Sequence, residues 1–309
     1  MTPAVLLIAG LVTLYIGAEA LIRGGTGLAL SMNIRPILIG LTVVAFGTSL
    51  PELTVALLST VKETQRLAFG NIIGSNICNI LLIFGVMAVI RPIRIEEDNL
   101  RKDIPAVLGS CGLLWILATD GFLNDLDGII LLLAFMLFLI YLWKDRKTRF
   151  AHSIEPTPKH NRVLYLLIMP VGLALLIFGG WACVRGGTGI AEMLGVPQYI
   201  IGLTIIAIGT SLPELAIGVV ASIKGHSDIP IGNALGSNIF NALGIVGVAA
   251  VIKPISINIE MLHFSLPVML ATSAAFLPLA KSGKKLTRLE GAGFLIAYSI
   301  YLAALYVSR

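Results

Sequence analysis

The chain is poor in everything that makes a watered surface or a reactive centre. Charged residues are 13% of its 309 positions, and there are 4 histidines. Its three cysteines, Cys78, Cys111 and Cys183, lie far apart in apolar segments, with neither paired spacing nor a metal-ligand rhythm, and read as small core residues. No nucleophile motif, no His/Asp/Glu metal cluster and no phosphate-binding loop can be found, which argues against an enzyme and against a resident cofactor. There is no basic helix or aromatic platform for a nucleic acid. No low-complexity tract occurs. Nothing near Met1 has the basic flank of a cleaved export signal, so the first apolar run is expected to stay in the fold.

What is there in quantity is hydrocarbon: 57% hydrophobic residues and a mean hydropathy of +0.93. A soluble domain cannot carry that surface. A bilayer core takes about 20 apolar residues per helix, and short charge clusters cut the chain into pieces of that length. The predicted spans are residues 3–22, 34–60, 67–92, 104–119, 127–143, 163–185, 196–223, 229–254, 262–280 and 289–307. The expected fold is therefore an all-α integral membrane protein of about ten helices.

The chain is also a repeat. Gly47-Thr-Ser-Leu-Pro-Glu52 recurs as Gly209-Thr-Ser-Leu-Pro-Glu214, and Gly70-Asn-Ile-Ile-Gly-Ser-Asn-Ile-Cys-Asn79 recurs as Gly232-Asn-Ala-Leu-Gly-Ser-Asn-Ile-Phe-Asn241, both at a constant offset of 162. Two five-helix halves, 1–143 and 163–309, are joined by the polar stretch 144–162. The matched motifs occupy 40–60 and 70–92 in the first half, and 202–222 and 232–254 in the second. An odd number of spans makes the second half enter the membrane from the opposite side, so the repeat is inverted. Assigned to alternate loops, seventeen of the 22 Lys and Arg residues fall on one side. The positive-inside rule makes that side the cytoplasm, with both termini outside a multi-pass cell (plasma) membrane protein and the 144–162 linker inside. Membrane lipid is the expected surrounding, and no obligate protein partner is evident.

Pro51 has no N–H for the carbonyl of Gly47, and Pro213 none for that of Gly209, so both helices must bend or unwind there. Such freed backbone is tolerated at membrane depth only where protein or a wet cavity meets it. Glu52 shares a helix face with Thr48 and Ser49, and Glu214 with Thr210 and Ser211. Ser75 with Asn79, and Ser237 with Asn241, are spaced four apart on the following spans. This is an oxygen-only donor set, the kind that hard cations such as Ca²⁺ take. The bland reading is a pair of protonated glutamates and several amides that only bond helices together. Asn71, Asn76, Asn233 and Asn238 read as helix-bonding residues, and Gly70, Gly74, Gly232 and Gly236 as close-packing sites.

These motifs resemble the cation/calcium antiporter superfamily, and within it the prokaryotic sodium/calcium exchangers with their two α-repeats. The resemblance covers essentially the whole chain. It implies a Ca²⁺/Na⁺ antiporter whose metal ligands include Glu52 and Glu214, the hydroxyls of Thr48, Ser49, Ser75, Thr210, Ser211 and Ser237, the carbonyls near Ala45 and Ala207, and Asn79 and Asn241. Typical sodium/calcium exchangers have an aspartate at the position of Asn241, whereas both equivalents here are asparagine. Two central acids suit one Ca²⁺ and are less favourable for several Na⁺, so exchange of Ca²⁺ for H⁺ is the alternative. A cation channel or an intramembrane enzyme is more remote. Glu19 has Trp181 as its repeat equivalent and is expected near a helix end or bonded to a neighbour. The runs Arg23-Gly-Gly-Thr-Gly27 and Arg185-Gly-Gly-Thr-Gly189 are expected to stop or hinge the first and sixth spans.

Overall fold

A computed structural model describes residues 2–61, 65–150, 162–196, 207–259 and 261–307. Among these, eight helices are long and apolar enough to cross a bilayer. A further span is the bent pair Pro36–Thr48 and Leu50–Thr60, whose two parts meet at 42°. Of the predicted seventh span, only Ala207–Gly209 and Leu212–Lys224 fall within the described residues. The molecule is the all-α, ten-span inverted repeat that the sequence pattern requires. Within the linker, the fifth helix runs on to Phe150 and the sixth begins at Arg162; 151–161 lie outside the described residues.

The third and eighth spans, Ala68–Ile90 and Asp228–Ile252, occupy the middle. They are 78% and 83% buried over their apolar windows, against 33% and 28% for the first and sixth spans, Pro3–Ser31 and Arg162–Met193. Their interiors are broken by π-helical turns at Asn79–Ile83 and Phe240–Ile245. Such single-turn bulges often mark functional positions. Around this pair lies a large apolar core reaching from Ile37 to Tyr301, including Phe69, Phe84, Phe276 and Met269. A smaller, separate core unites Leu14, Ala18 and Leu21 of the first span with Met169 and Leu176 of the sixth and Ile217 and Val220 of the seventh.

The first and sixth spans cross along a seam lined by glycines. Gly10, Gly17 and Gly24 recur every seven residues and face Gly179, Gly172 and Met169 across the seam. A Cβ placed on Gly17 would stand 2.8 Å from the Gly172 carbonyl oxygen, and one on Gly172 would stand 3.0 Å from that of Gly17. The two backbones touch. This corrects the expectation for the Arg-Gly-Gly-Thr-Gly runs: the first helix continues unbroken to Ser31 and the sixth to Met193. Those glycines admit neighbours, Gly25 taking Ile229 and Ile39 and Gly27 the ring of Tyr165. Their helix cost of about 1 kcal/mol each is offset by that packing.

Two short antiparallel ladders, which helical periodicity could not foretell, tie loops of one half to loops of the other: Ile93–Arg94 with Lys285–Leu286, and Phe122–Leu123 with Ile255–Ser256. They are repeats of each other. Close packing at the seam predicts that Gly17→Val lowers the thermal midpoint of the purified protein in detergent, because forcing atoms into filled space costs roughly 1–3 kcal/mol. An unchanged midpoint in scanning fluorimetry would contradict it.

Candidate ion-binding site

Each half delivers its hexapeptide to the centre in the same way. The helix ending at Thr48 stops at Ser49 (φ −85°, ψ 8°), and Ser211 repeats this conformation (φ −91°, ψ 7°). The prolines Pro51 and Pro213 then open the next helical segments, where the missing N–H is harmless. Glu52 and Glu214 therefore sit in the first turn of a helix, at its positive end. Both are buried, with relative exposures of 1% and 2%.

The surroundings of the two carboxylates obey the repeat and cross it. Glu52 is faced by Ser75 of its own half, whose hydroxyl donates to Oε1 at 3.3 Å, and by the hydroxyl of Thr210 from the other half. Glu214 is faced by Ser237 of its own half and by Thr48 of the other. Thr48 also reaches Asn233 Oδ1 at 3.0 Å, and Ser211 donates to Ser75 at 3.4 Å.

The asparagines close the arrangement. Asn79 Nδ2 donates to Asn238 Oδ1 at 2.9 Å, and Asn241 Nδ2 donates to Asn76 Oδ1 at 3.1 Å, the same contact related by the repeat. Among the described residues, Ser49 Oγ, Glu52 Oε2, Asn79 Oδ1, Thr210 Oγ1, Glu214 Oε2, Ser237 Oγ and Asn241 Oδ1 are buried without completing a hydrogen bond of ordinary geometry. Buried oxygens left so are costly. All seven belong to the predicted ligand set, and the donor they lack is what a bare cation replaces.

Ala45 is buried behind Thr48, and its carbonyl accepts from Ser49 N at 3.1 Å. Ala207 opens the short helix Ala207–Gly209, with its side chain outside the described atoms. Gly232 and Gly236 pack against the backbones of Ile37 and Leu41 as predicted for small residues. Glu19 stays out of the centre and pairs with Arg23 and, at 2.6 Å, with Lys224. Residues the sequence pattern did not single out for the centre are Cys78, which contacts Ser211 and Tyr298, and Asn76, Asn233 and Asn238, which bond its members. Asn76 and Asn238 carried a usable signal, lying one helical turn before Asn79 and Asn241. Among the described residues, no three His, Cys, Asp or Glu side chains gather into a metal site, so hydroxyl and amide oxygens make up most of the donor set.

Broken helices meeting at a buried oxygen cluster define a polar centre inside an integral membrane protein. The family description sodium/calcium exchanger protein matches residues 2–144 and 164–307, and the chain belongs to that family. It is 35% identical to inner membrane protein YrbG of Escherichia coli, covering 97% of this chain and 96% of that one. It is 28% identical to sodium/calcium exchanger MaX1 of Methanosarcina acetivorans, covering 97% of each. Its fold superposes on the solved sodium-calcium exchanger NCX_Mj with a TM-score of 0.86, at 30% identity and 98% coverage of each chain.

Because Thr48 spans the two halves, Thr48→Val should leave Asn233 Oδ1 unpaired at a cost of about 1–3 kcal/mol. Equal unfolding midpoints for Thr48→Val and wild type would count against that contact.

Proposed function

We propose that this protein is a secondary active antiporter that exchanges Ca²⁺ for Na⁺ across the cell membrane, with both termini outside, the 144–162 linker in the cytoplasm, and its halves 1–143 and 163–309 enclosing the ion between them. The observation that carries this is the set of orphaned oxygens, three from the first half and four from the second, around Glu52 and Glu214. Six to eight oxygens at about 2.3–2.6 Å satisfy Ca²⁺. Glu52, Glu214, Asn79 and Asn241 are the core ligands of this reading. Thr48, Ser49, Ser75, Thr210, Ser211 and Ser237 supply hydroxyls, and the carbonyls of Ala45 and Ala207 complete the set. Na⁺, also a hard cation, would use the same oxygens in turn.

Exchange follows from charge. An ionised carboxylate at bilayer depth costs at least about 2.5–3.5 kcal/mol even on permissive scales. An empty centre with two of them resists passing through a closed, dry intermediate, while a bound Ca²⁺ or its replacing cations relieve that cost. The site can then face first one side and then the other, but only when loaded. The first and sixth spans suit the moving part, since their backbones pack on each other along the glycine seam. Asn79 and Asn241, neutral in both halves, favour H⁺ as the alternative partner of Ca²⁺, because the two glutamates are then the only acidic ligands to be neutralised.

Purified protein in liposomes should take up ⁴⁵Ca²⁺ when loaded with Na⁺ and diluted into Na⁺-free medium. Uptake driven only by a pH gradient would transfer the coupling to H⁺, and uptake indifferent to both gradients would refute exchange. Glu52→Gln and Glu214→Gln should each reduce exchange to background; wild-type flux in either would remove that residue from the centre.

A further inference from the structure

Asn76 and Asn238 lie beside the proposed ligands yet present no free oxygen to the ion. Both are fully buried and stand where the third and eighth spans cross. Asn76 Nδ2 donates to the backbone oxygen of Asn238 at 3.3 Å, and Asn238 Nδ2 donates to that of Asn76 at 3.2 Å. Asn76 and Asn238 thereby close a two-fold ring through side chain and backbone, and Asn79 and Asn241 each attach to it by one hydrogen bond.

The direction of every amide in that ring is determined. A backbone carbonyl only accepts, so the NH₂ ends of Asn76 and Asn238 must point at it. Their Oδ1 atoms are then turned away, toward Asn79 and Asn241. Two oxygens cannot face each other, so Asn79 and Asn241 must present their NH₂ ends to the ring. Their own Oδ1 atoms are left pointing out of it, and these are two of the seven orphaned oxygens. Without the ring, either amide could rotate by half a turn and offer two N–H donors to a cation, which is repulsive.

We propose that Asn76 and Asn238 are positioning residues of the ion site, locking the Asn79 and Asn241 amides with oxygen toward the ion. This rests on the reading of Asn79 and Asn241 as ligands. It explains why the asparagines of each Gly-Ser-Asn-Ile-x-Asn block come as a pair three residues apart: one member coordinates, and the other orients the coordinating member of the opposite half. Each half therefore supplies the ligand that the other half aligns. Outer partners that hold a ligand in orientation typically contribute 10–100-fold to metal affinity.

The test is Ca²⁺ binding to the full-length protein in lipid nanodiscs, followed by isothermal titration calorimetry in Na⁺-free buffer. Asn76→Leu and Asn238→Leu, similar in volume but unable to hydrogen-bond, should weaken binding by about tenfold or more. Should leucine prevent folding, Asn76→Ser and Asn238→Ser, too short to reach across, should show the same loss. Asn238→Asp keeps the acceptor for Asn79 and, as the neutral acid, an O–H for the Asn76 carbonyl, so it should recover affinity to within about threefold of wild type. In an Asn79→Leu background, Asn238→Leu should weaken binding no further, because it acts through Asn79. A packing role alone would give additive losses and no rescue by aspartate, and either result overturns the proposal. Unaltered affinity in the leucine or serine variants does so as well. Failure of the wild type to bind Ca²⁺ would remove the site itself, and this inference with it.

Discussion

Two carboxylates at the centre of an apolar bundle set the terms for the rest of this molecule. A carboxylate excluded from water must find positive charge, hydrogen-bond donors or a proton. Here, each is faced by one hydroxyl from its own half and one from the other, and among the described residues neither is paired with a Lys or Arg. That arrangement is only partly satisfying, as the orphaned Oε2 of each acid shows. The deficit is the useful quantity: a site fully paired by its own protein would have no reason to accept an ion, and an unpaired one would not fold.

The inverted repeat is what makes such balance attainable in a single stroke. A contact invented once appears twice, and contacts on the axis join a residue to its own copy. Cys111 and Ser273, separated by the repeat offset of 162, lie 3.9 Å apart in this way. Asn76 and Asn238 likewise exchange hydrogen bonds with each other. Glycines serve the same end at two places, letting the first and sixth backbones touch and admitting the second span against the eighth.

Most of this architecture was legible in the residue string, for identifiable reasons. Span number, pairing of halves and inversion follow from hydropathy, a fixed offset and parity, none of which depends on side-chain detail. The break before Leu50 and before Leu212 was readable from Pro51 and Pro213, since a missing N–H is a local fact. The gathering of these polar side chains was readable because carboxylates, hydroxyls and amides at helical spacing have few innocent uses in hydrocarbon. What escaped was set by tertiary contact. Arg23 to Gly27 reads locally as a place to stop a helix, but Tyr165, Ile229 and Ile39 fill the space the glycines leave and keep the helix going. Asn76 and Asn238 bond helix to helix and to backbone as expected, but that their partners are each other, 162 residues away, is something no local pattern reports. The two loop ladders are two residues per strand, too short for any periodicity to register.

The likeness of the halves fails at one informative point. Glu19 joins Arg23 and Lys224 near one end of the seventh span, whereas its repeat equivalent, Trp181, stacks under Arg185 at 5.3 Å. Two perfectly matched halves would make the opposite-facing forms of the molecule related by a two-fold rotation and equal in free energy. An ionic clasp present on one face and replaced by an indole on the other removes that degeneracy.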